Sequence, residues 1–329
     1  MATIEDKYNK LVKELNLKEY YDKGYTGKGI IVASVESTDS DHGRNVKCTC
    51  LTYAPDVTFI SYNDCHEKSA TGDDGTNAEF PKFVDWCIEN KVDIVTSSLS
   101  WTCNHEEEKQ AIRKLYENGI IYVNCAGNES HTLEHRENGN QPYTFDKESI
   151  CVGAVQYDMT KNKFKKASFS NYGEAIDVMM EGDASPMKSF FDPTDEDYED
   201  SVKKYGRNYL WVGFSGTSAS TPMIAGLLAV YKSYDKKLNS KNVFDLINAS
   251  YIPLEYDNIE YKIFKMPVMD TITLKEEVKN MEDKPDWKIE FEEVWDRATK
   301  LKVVDGTRPS DPITRNELVV ILDRLGLLK

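Results

Sequence analysis

Residues 217–231 read TSASTPMIAGLLAVY, small or apolar at almost every position. A helix with this composition has no polar face to give to water, so it belongs inside a large core. Upstream, short apolar runs alternate with amphipathic stretches. Residues 30–35, 57–62, 92–95, 120–124 and 150–155 read as strands. Residues 46–53 suit a helix. Phe80, Phe83, Val84, Cys87 and Ile88 fall on one face of another, and Ala111, Ile112, Leu115 and Tyr116 mark a third that Gly119 ends. Strand runs that are apolar without alternation are buried on both faces, as parallel strands are. The expected class is therefore α/β, a mostly parallel sheet covered by helices on both faces. With 329 residues and 40% apolar composition the chain can bury such a core.

An N-terminal helix should open at Thr3, whose side chain can cap it with Asp6 three residues on. Ile4, Tyr8, Leu11 and Leu15 supply its apolar stripe. This start has no apolar stretch of the kind a secretory signal carries, and a cytoplasmic setting is expected. Residues 183–208 interrupt the strand–helix pattern, and residues 209–214 return as a strand. Residues 251–284 show no clear period and read as a connector. Trp295, Ala298 and Leu301 suit a helix, and Thr314 with Glu317 opens another with Leu318, Ile321, Leu322 and Leu325 on its apolar face. The organisation is thus a main domain over 1–250, a connector over 251–284 and a small helical module over 285–329.

Lys and Arg total 41 against 56 Asp and Glu, a net charge of −15. That balance argues against nucleic acid and against anionic membrane surfaces as partners. No apolar run reaches the roughly 20 residues of a spanning helix. The charge is uneven: residues 181–200 hold eight acids and one lysine. This acidic run reads either as a solvated loop or as a flap near the functional cleft that favours basic substrates or holds a cation. Seven cysteines form no paired framework and read as buried, reduced thiols.

The strongest chemical signal is Phe214-Ser215-Gly216-Thr217-Ser218-Ala219-Ser220-Thr221-Pro222. It places a serine where a strand, a glycine turn and a buried helix meet. Backbone N–H groups and the helix dipole there favour developing negative charge, as a nucleophilic serine requires. A plain capping serine would occupy the same place. Three further segments separate the two readings. Gly24-Tyr25-Thr26-Gly27-Lys28-Gly29 leads into the first strand, Cys125-Ala126-Gly127-Asn128-Glu129 follows a later one, and Ala167-Ser168-Phe169-Ser170-Asn171-Tyr172-Gly173 follows another. In this order, together with the Ser218 segment, residues ~24–235 resemble the subtilisin-like serine peptidases.

The resemblance implies a serine endopeptidase acting on polypeptides without a cofactor or metal ion. It makes Ser218 the nucleophile and Asn128 the side-chain donor to the oxyanion. Ser98-Leu99-Ser100, with Gly127 and Thr217, becomes the substrate-binding frame, with Ser100 where the family has glycine. His42, in Asp41-His42-Gly43-Arg44-Asn45-Val46, takes the place of the general base, with Arg44 and Asn45 replacing the middle pair of that motif. The strand-end acid is Glu36 where the family has Asp, only six positions before His42. Asp39 and Asp41 are the alternatives. Relatives usually carry a prodomain, and none is expected ahead of this segment.

These departures also define a second reading, a pseudopeptidase that kept the fold as a binding scaffold. A third rests on His131-Thr132-Leu133-Glu134-His135, the H-x-x-E-H spelling of some zinc peptidases, which needs a helix to bring both histidines to one face. The run from Asp305 to Glu317 resembles S-layer-homology-like segments at the ends of phage lysins and phage structural proteins. It implies a phage or prophage origin, with the module serving docking or self-association.

Overall fold

Burial of residues 217–231 organises the molecule as their composition demands. The computed structural model describes residues 3–61, 79–99, 106–133, 148–194, 196 and 198–269. The chain divides into two compact units, Met1–Met266 and Pro267–Lys329. The expected module over 285–329 lies outside the described residues.

Eleven strands and eight helices are described. In chain order the first unit runs α1 (Ile4–Glu14), α2 (Leu17–Asp22), β1 (Ile31–Ser34), α3 (Asp41–Tyr53), β2 (Thr58–Ser61), α4 (Phe80–Glu89), β3 (Ile94–Ser97), α5 (Glu106–Glu117) and β4 (Ile121–Cys125). It continues with β5 (Ile150–Asp158), β6 (Lys163–Lys166), β7 (Val178–Glu181), β8 (Ser185–Phe190), α6 (Tyr198–Tyr205), β9 (Tyr209–Phe214), α7 (Thr217–Tyr234), α8 (Val243–Ala249), β10 (Tyr251–Tyr256) and β11 (Ile259–Phe264). The main sheet has the order β10-β11-β7-β5-β4-β3-β1-β2, with β6 beside β5. Every pairing from β2 through β11 along that order is parallel; β10–β11 and β5–β6 are antiparallel.

Helix α7 packs across β1, β3, β4, β5 and β7 and is buried without a break from Thr217 through Tyr231. Met223, Ile224, Leu227, Leu228 and Val230 have no solvent exposure, and their burial contributes on the order of 10 kcal/mol. Helix α3 lies against α7 at Gly226, where a Cβ would meet the Cys50 carbonyl at 3.1 Å. The other face of the sheet is covered by α4 and α5. Phe80, Phe83, Val84 and Cys87 join Ala111, Ile112 and Leu115 over Ala33, Val95 and Tyr122. The N-terminal helix forms as expected, with Thr3 and Asp6 making a reciprocal capping box.

Two expectations need correction. Residues 251–264 are not a connector: β10 and β11 form a hairpin that extends the main sheet beyond β7. Their low apolar periodicity reflects an edge, with β10 partly exposed along its length. The acidic run over 181–200 is not one flap either. Glu181 ends β7 and is buried, and residues 185–190 are β8, paired antiparallel with β9 in a separate two-stranded ribbon. Asp192 follows the end of β8, and Glu199 and Asp200 lie in the first turn of α6.

Candidate active site

The chain runs from β1 to β2 on one side and then to β3 on the other, so strand order reverses at β1. In open α/β sheets the crevice at such a reversal, beyond the carboxyl ends of the strands, is where sites form. Glu36 lies two residues past β1, Ser98 one past β3 and Asn128 three past β4. The N-terminus of α7 meets this edge. Gly216 ties it to the end of β7 by donating its N–H to the Gly182 carbonyl at 2.8 Å.

Ser218 occupies the first turn of α7 and is 8% exposed. Its Oγ donates to the Ser98 carbonyl at 3.2 Å, and the Ser98 hydroxyl donates to the Ser218 carbonyl at 3.0 Å. Gly216 caps the helix without a side-chain bond. The Thr217 N–H is taken by the Asn128 side-chain oxygen at 2.8 Å, and the Ala219 N–H by the Gly216 carbonyl at 3.0 Å. The Ser218 N–H, one of the four that a helix start leaves over, has no partner among the described residues.

Asn128 is exposed, with its Oδ1 fixed by Thr217. Its NH₂ makes no bond to a described residue. Gly127 joins the same lock, its N–H reaching Thr217 Oγ1 at 3.2 Å. The loop is held from outside by Asn171, a residue of the quoted motif to which sequence reasoning gave no role. Asn171 Oδ1 accepts the N–H groups of Glu129 (3.1 Å) and His131 (2.9 Å), and its amide donates to the Ala126 carbonyl and to Glu129 Oε2.

Glu36 is 3% exposed. One carboxylate oxygen accepts the Ser34 hydroxyl at 2.7 Å and the other the Ser98 N–H. Burial pushes this carboxyl up to about 7, against the pull of those donors. The alternatives are placed differently. Asp39 is exposed, and Asp41 has a 94% exposed side chain paired with Arg44. The short path from Glu36 to His42 is a capped turn. Ser40 Oγ donates to the Ser37 carbonyl at 2.9 Å and accepts the Gly43 N–H at 3.0 Å. Gly43 is required there, because a Cβ would lie 1.9 Å from the Ser37 carbonyl oxygen.

His42 sits in the first turn of α3, half-buried, with its ring edge-on to Phe214 at 5.9 Å. Phe214 ends β9, four residues before Ser218. Burial lowers the pKa of the imidazole. The structure joins Glu36, Ser98 and Ser218 by direct bonds and Asn128 to the helix start through Thr217. His42 is hydrogen-bonded to neither Ser218 nor Glu36 in this state.

The Subtilase family profile matches residues 7–280. The chain belongs to the subtilase family. Among its relatives, the Major intracellular serine protease of Bacillus subtilis is 29% identical over 179 residues, 52% of this chain and 48% of the relative. The chain thus spans about half the length of that protein. Subtilisin DY of Bacillus licheniformis is 27% identical over 233 residues, 70% of this chain and 73% of the relative. Fervidolysin from Fervidobacterium pennivorans shares the fold with a TM-score of 0.58 at 16% identity, covering 77% of this chain and 43% of fervidolysin.

Leu99 follows Ser98 at the end of β3, and Ser100 lies outside the described residues. Ser98 commits its N–H to Glu36 and its carbonyl to Ser218 Oγ. His131 to Leu133 are not helical: Thr132 bridges Tyr172, so the presentation that a zinc-binding H-x-x-E-H needs is missing there. His135 lies outside the described residues. Among the described residues no cluster of three His, Cys, Asp or Glu is placed to hold a metal ion, and no helix is long and apolar enough to cross a membrane. Among the described residues Cys50, Cys87, Cys125 and Cys151 are buried.

Proposed function

We propose that this subtilase is a serine endopeptidase that hydrolyses polypeptides through an acyl-enzyme on Ser218. The supporting observation is the pairing of two donors at the start of α7: the unpartnered Ser218 N–H and an Asn128 amide whose oxygen is already bound, leaving its NH₂ to donate. Such donors stabilise the tetrahedral oxyanion more than the ground-state carbonyl.

In this reading His42 accepts the Ser218 hydroxyl proton as Oγ bonds to the scissile carbonyl carbon. The oxyanion takes hydrogen bonds from Asn128 and the Ser218 N–H. The C–N bond breaks as His42 returns the proton to the leaving amine. Water, deprotonated by His42, then attacks the ester and frees Ser218. The Ser218 hydroxyl must first leave the Ser98 carbonyl and turn to His42. Glu36 is the third member: burial sets it apart from Asp39 and Asp41, and it follows β1 at the sheet edge where it is bonded to Ser98, the partner of Ser218. Leu99 and Ser100 pair with the extended substrate as an added strand, beside Gly127 and Thr217.

An intracellular setting is supported by relatives whose names place them there. A phage origin, and docking through the 285–329 module, rest on the Asp305–Glu317 run alone. The test of activity is cleavage profiling on a peptide library, with Ser218→Ala as control. Cleavage by the wild type that vanishes in the variant supports the reading; cleavage that persists at equal rate rejects it.

A further inference from the structure

The Ser218 carbonyl is an acceptor that its own helix cannot serve. An α-helical carbonyl takes the N–H of the residue four positions on, and here that residue is Pro222. Proline has no N–H, and its ring crowds the carbonyl one turn back. Ser218 is buried, so an unpaired carbonyl there is costly. The Ser98 hydroxyl meets this need at 3.0 Å, and Ser218 Oγ returns a bond to the Ser98 carbonyl at 3.2 Å. Ser98 is in turn held from behind, its N–H donating to buried Glu36. Next to it, the Thr217 carbonyl is served by Thr221 Oγ1 at 2.8 Å. The end of β1, the end of β3 and the first turn of α7 are therefore linked by one run of hydrogen bonds through Ser98.

We propose that the Ser98 side chain is a positioning residue for the nucleophile, supplying to Ser218 the backbone bond that Pro222 removes. The inference rests on the reading of Ser218 as nucleophile. The Ser98 hydroxyl does not contact substrate. It fixes where the Ser218 backbone sits, and with it the direction of the Ser218 N–H and the starting point of Oγ. A misplacement of about 1 Å in such a group costs roughly 10² in rate.

The test is a double-mutant cycle on the full chain with Ser98→Ala, Pro222→Ala and the pair. It reads kcat, KM and the rate of fluorophosphonate labelling, with thermal melts to verify folding. Ser98→Ala should lower kcat and labelling by roughly tenfold to a hundredfold, with KM within about threefold. Pro222→Ala gives position 222 an N–H that can serve the Ser218 carbonyl. In that background the Ser98→Ala loss should shrink to about threefold or less. An equal loss in both backgrounds, or a loss confined to KM, overturns the proposal. Where a Pro222 variant does not fold, Ser98→Thr against Ser98→Val decides, since the two side chains match in shape and differ in the hydroxyl. The threonine form should exceed the valine form by about tenfold in kcat, and equality would overturn the proposal. A wild type that neither labels nor cleaves would instead strike the reading of Ser218 itself.

Discussion

The Asn128 side-chain oxygen accepts the Thr217 N–H at 2.8 Å, a bond from the loop after β4 to the first residue of α7. Because a backbone N–H only donates, the atom facing it is the oxygen, and the amide NH₂ is turned away and free. Asn128→Asp keeps the acceptor and removes the donor. It should lower kcat by roughly 10²–10³ with little change in KM, a magnitude carried over from another subtilase. Stability should hold, since a carboxylate suits a helix N-terminus. Steady-state kinetics beside a thermal melt checks both halves, and an unchanged kcat would remove Asn128 from the mechanism.

The pH dependence follows from two groups displaced by burial. The proposed mechanism needs Glu36 ionised, with its carboxyl raised to about 7, and His42 neutral, with its imidazole lowered. As pH falls through 7, Glu36 gains its proton first and His42 follows. The acid limb of log kcat/KM should therefore steepen toward a slope of 2, and Glu36→Gln should leave a slope of 1 at much reduced turnover. A wild-type slope of 1 throughout contradicts this assignment.

Glu36 also makes a stability prediction of definite sign. Its folded value of about 7 lies above the ordinary 4.5, so the folded state holds the proton more tightly. The stabilising contribution is full below about pH 4.5 and is lost as pH rises through 7. Relative to wild type, Glu36→Gln should thus gain on the order of 3 kcal/mol between pH 4.5 and pH 8. Urea titrations at the two pH values measure it, and a pH-independent difference would count against the burial account.

Lys7 and Glu181 join α1 to the end of β7 at 3.1 Å, both almost fully buried. Lys7 also donates to the carbonyls of Asp183 and Ala184, in the turn that carries Gly182 and so the start of α7. Lys7→Met leaves Glu181 buried without its cation and should cost about 3–5 kcal/mol. Adding Glu181→Gln should recover a large part. Chemical denaturation of the three variants checks this; a single-variant cost under about 1 kcal/mol would show the pair to be incidental.

Asp192 follows β8 at the end of the β8–β9 ribbon away from Ser185 and Phe214, and Glu199 and Asp200 open α6. Asp192 feels the charges of Arg44 and Lys47 in α3, whereas Glu199 and Asp200 are exposed at the start of α6, where salt screens charge over about 8 Å. Neutralising Glu199 and Asp200 should change kcat/KM for a lysine-rich peptide by less than about twofold at 0.15 M salt. A larger, salt-sensitive drop would restore the acidic flap.

The parts of this molecule that could be read from sequence were those with a local physical cause. An all-round apolar helix had to be buried, and α7 is. Continuous apolar strand runs had to be doubly covered, and β1, β3 and β4 are. Thr3 with Asp6 had to cap α1, and does. Ser218, Asn128 and Glu36 were singled out because their neighbours in sequence carry a family pattern, and the fold brings them to one edge of the sheet. What escaped were relationships set by packing at long range. Tyr251 to Phe264 gave no periodic signal because an edge hairpin exposes one side. Glu181 read as part of a surface acidic run because its partner Lys7 lies 174 positions away in sequence. Asn171 stood in a family motif, yet its four side-chain bonds to the Asn128 loop depend on how two loops meet. The Ser98–Ser218 lock was likewise beyond reach, since the deficit created by Pro222 is local but the residue that corrects it is on another strand.

The central claim is that Ser218 is an activated nucleophile. A fluorophosphonate probe on the full chain, with the modified residue mapped by peptide mass spectrometry, tests it most directly. The account predicts a single adduct on Ser218 that forms faster as pH rises through 7 and disappears in Ser218→Ala. No adduct across that range in the folded protein, or one that persists in Ser218→Ala, would contradict it.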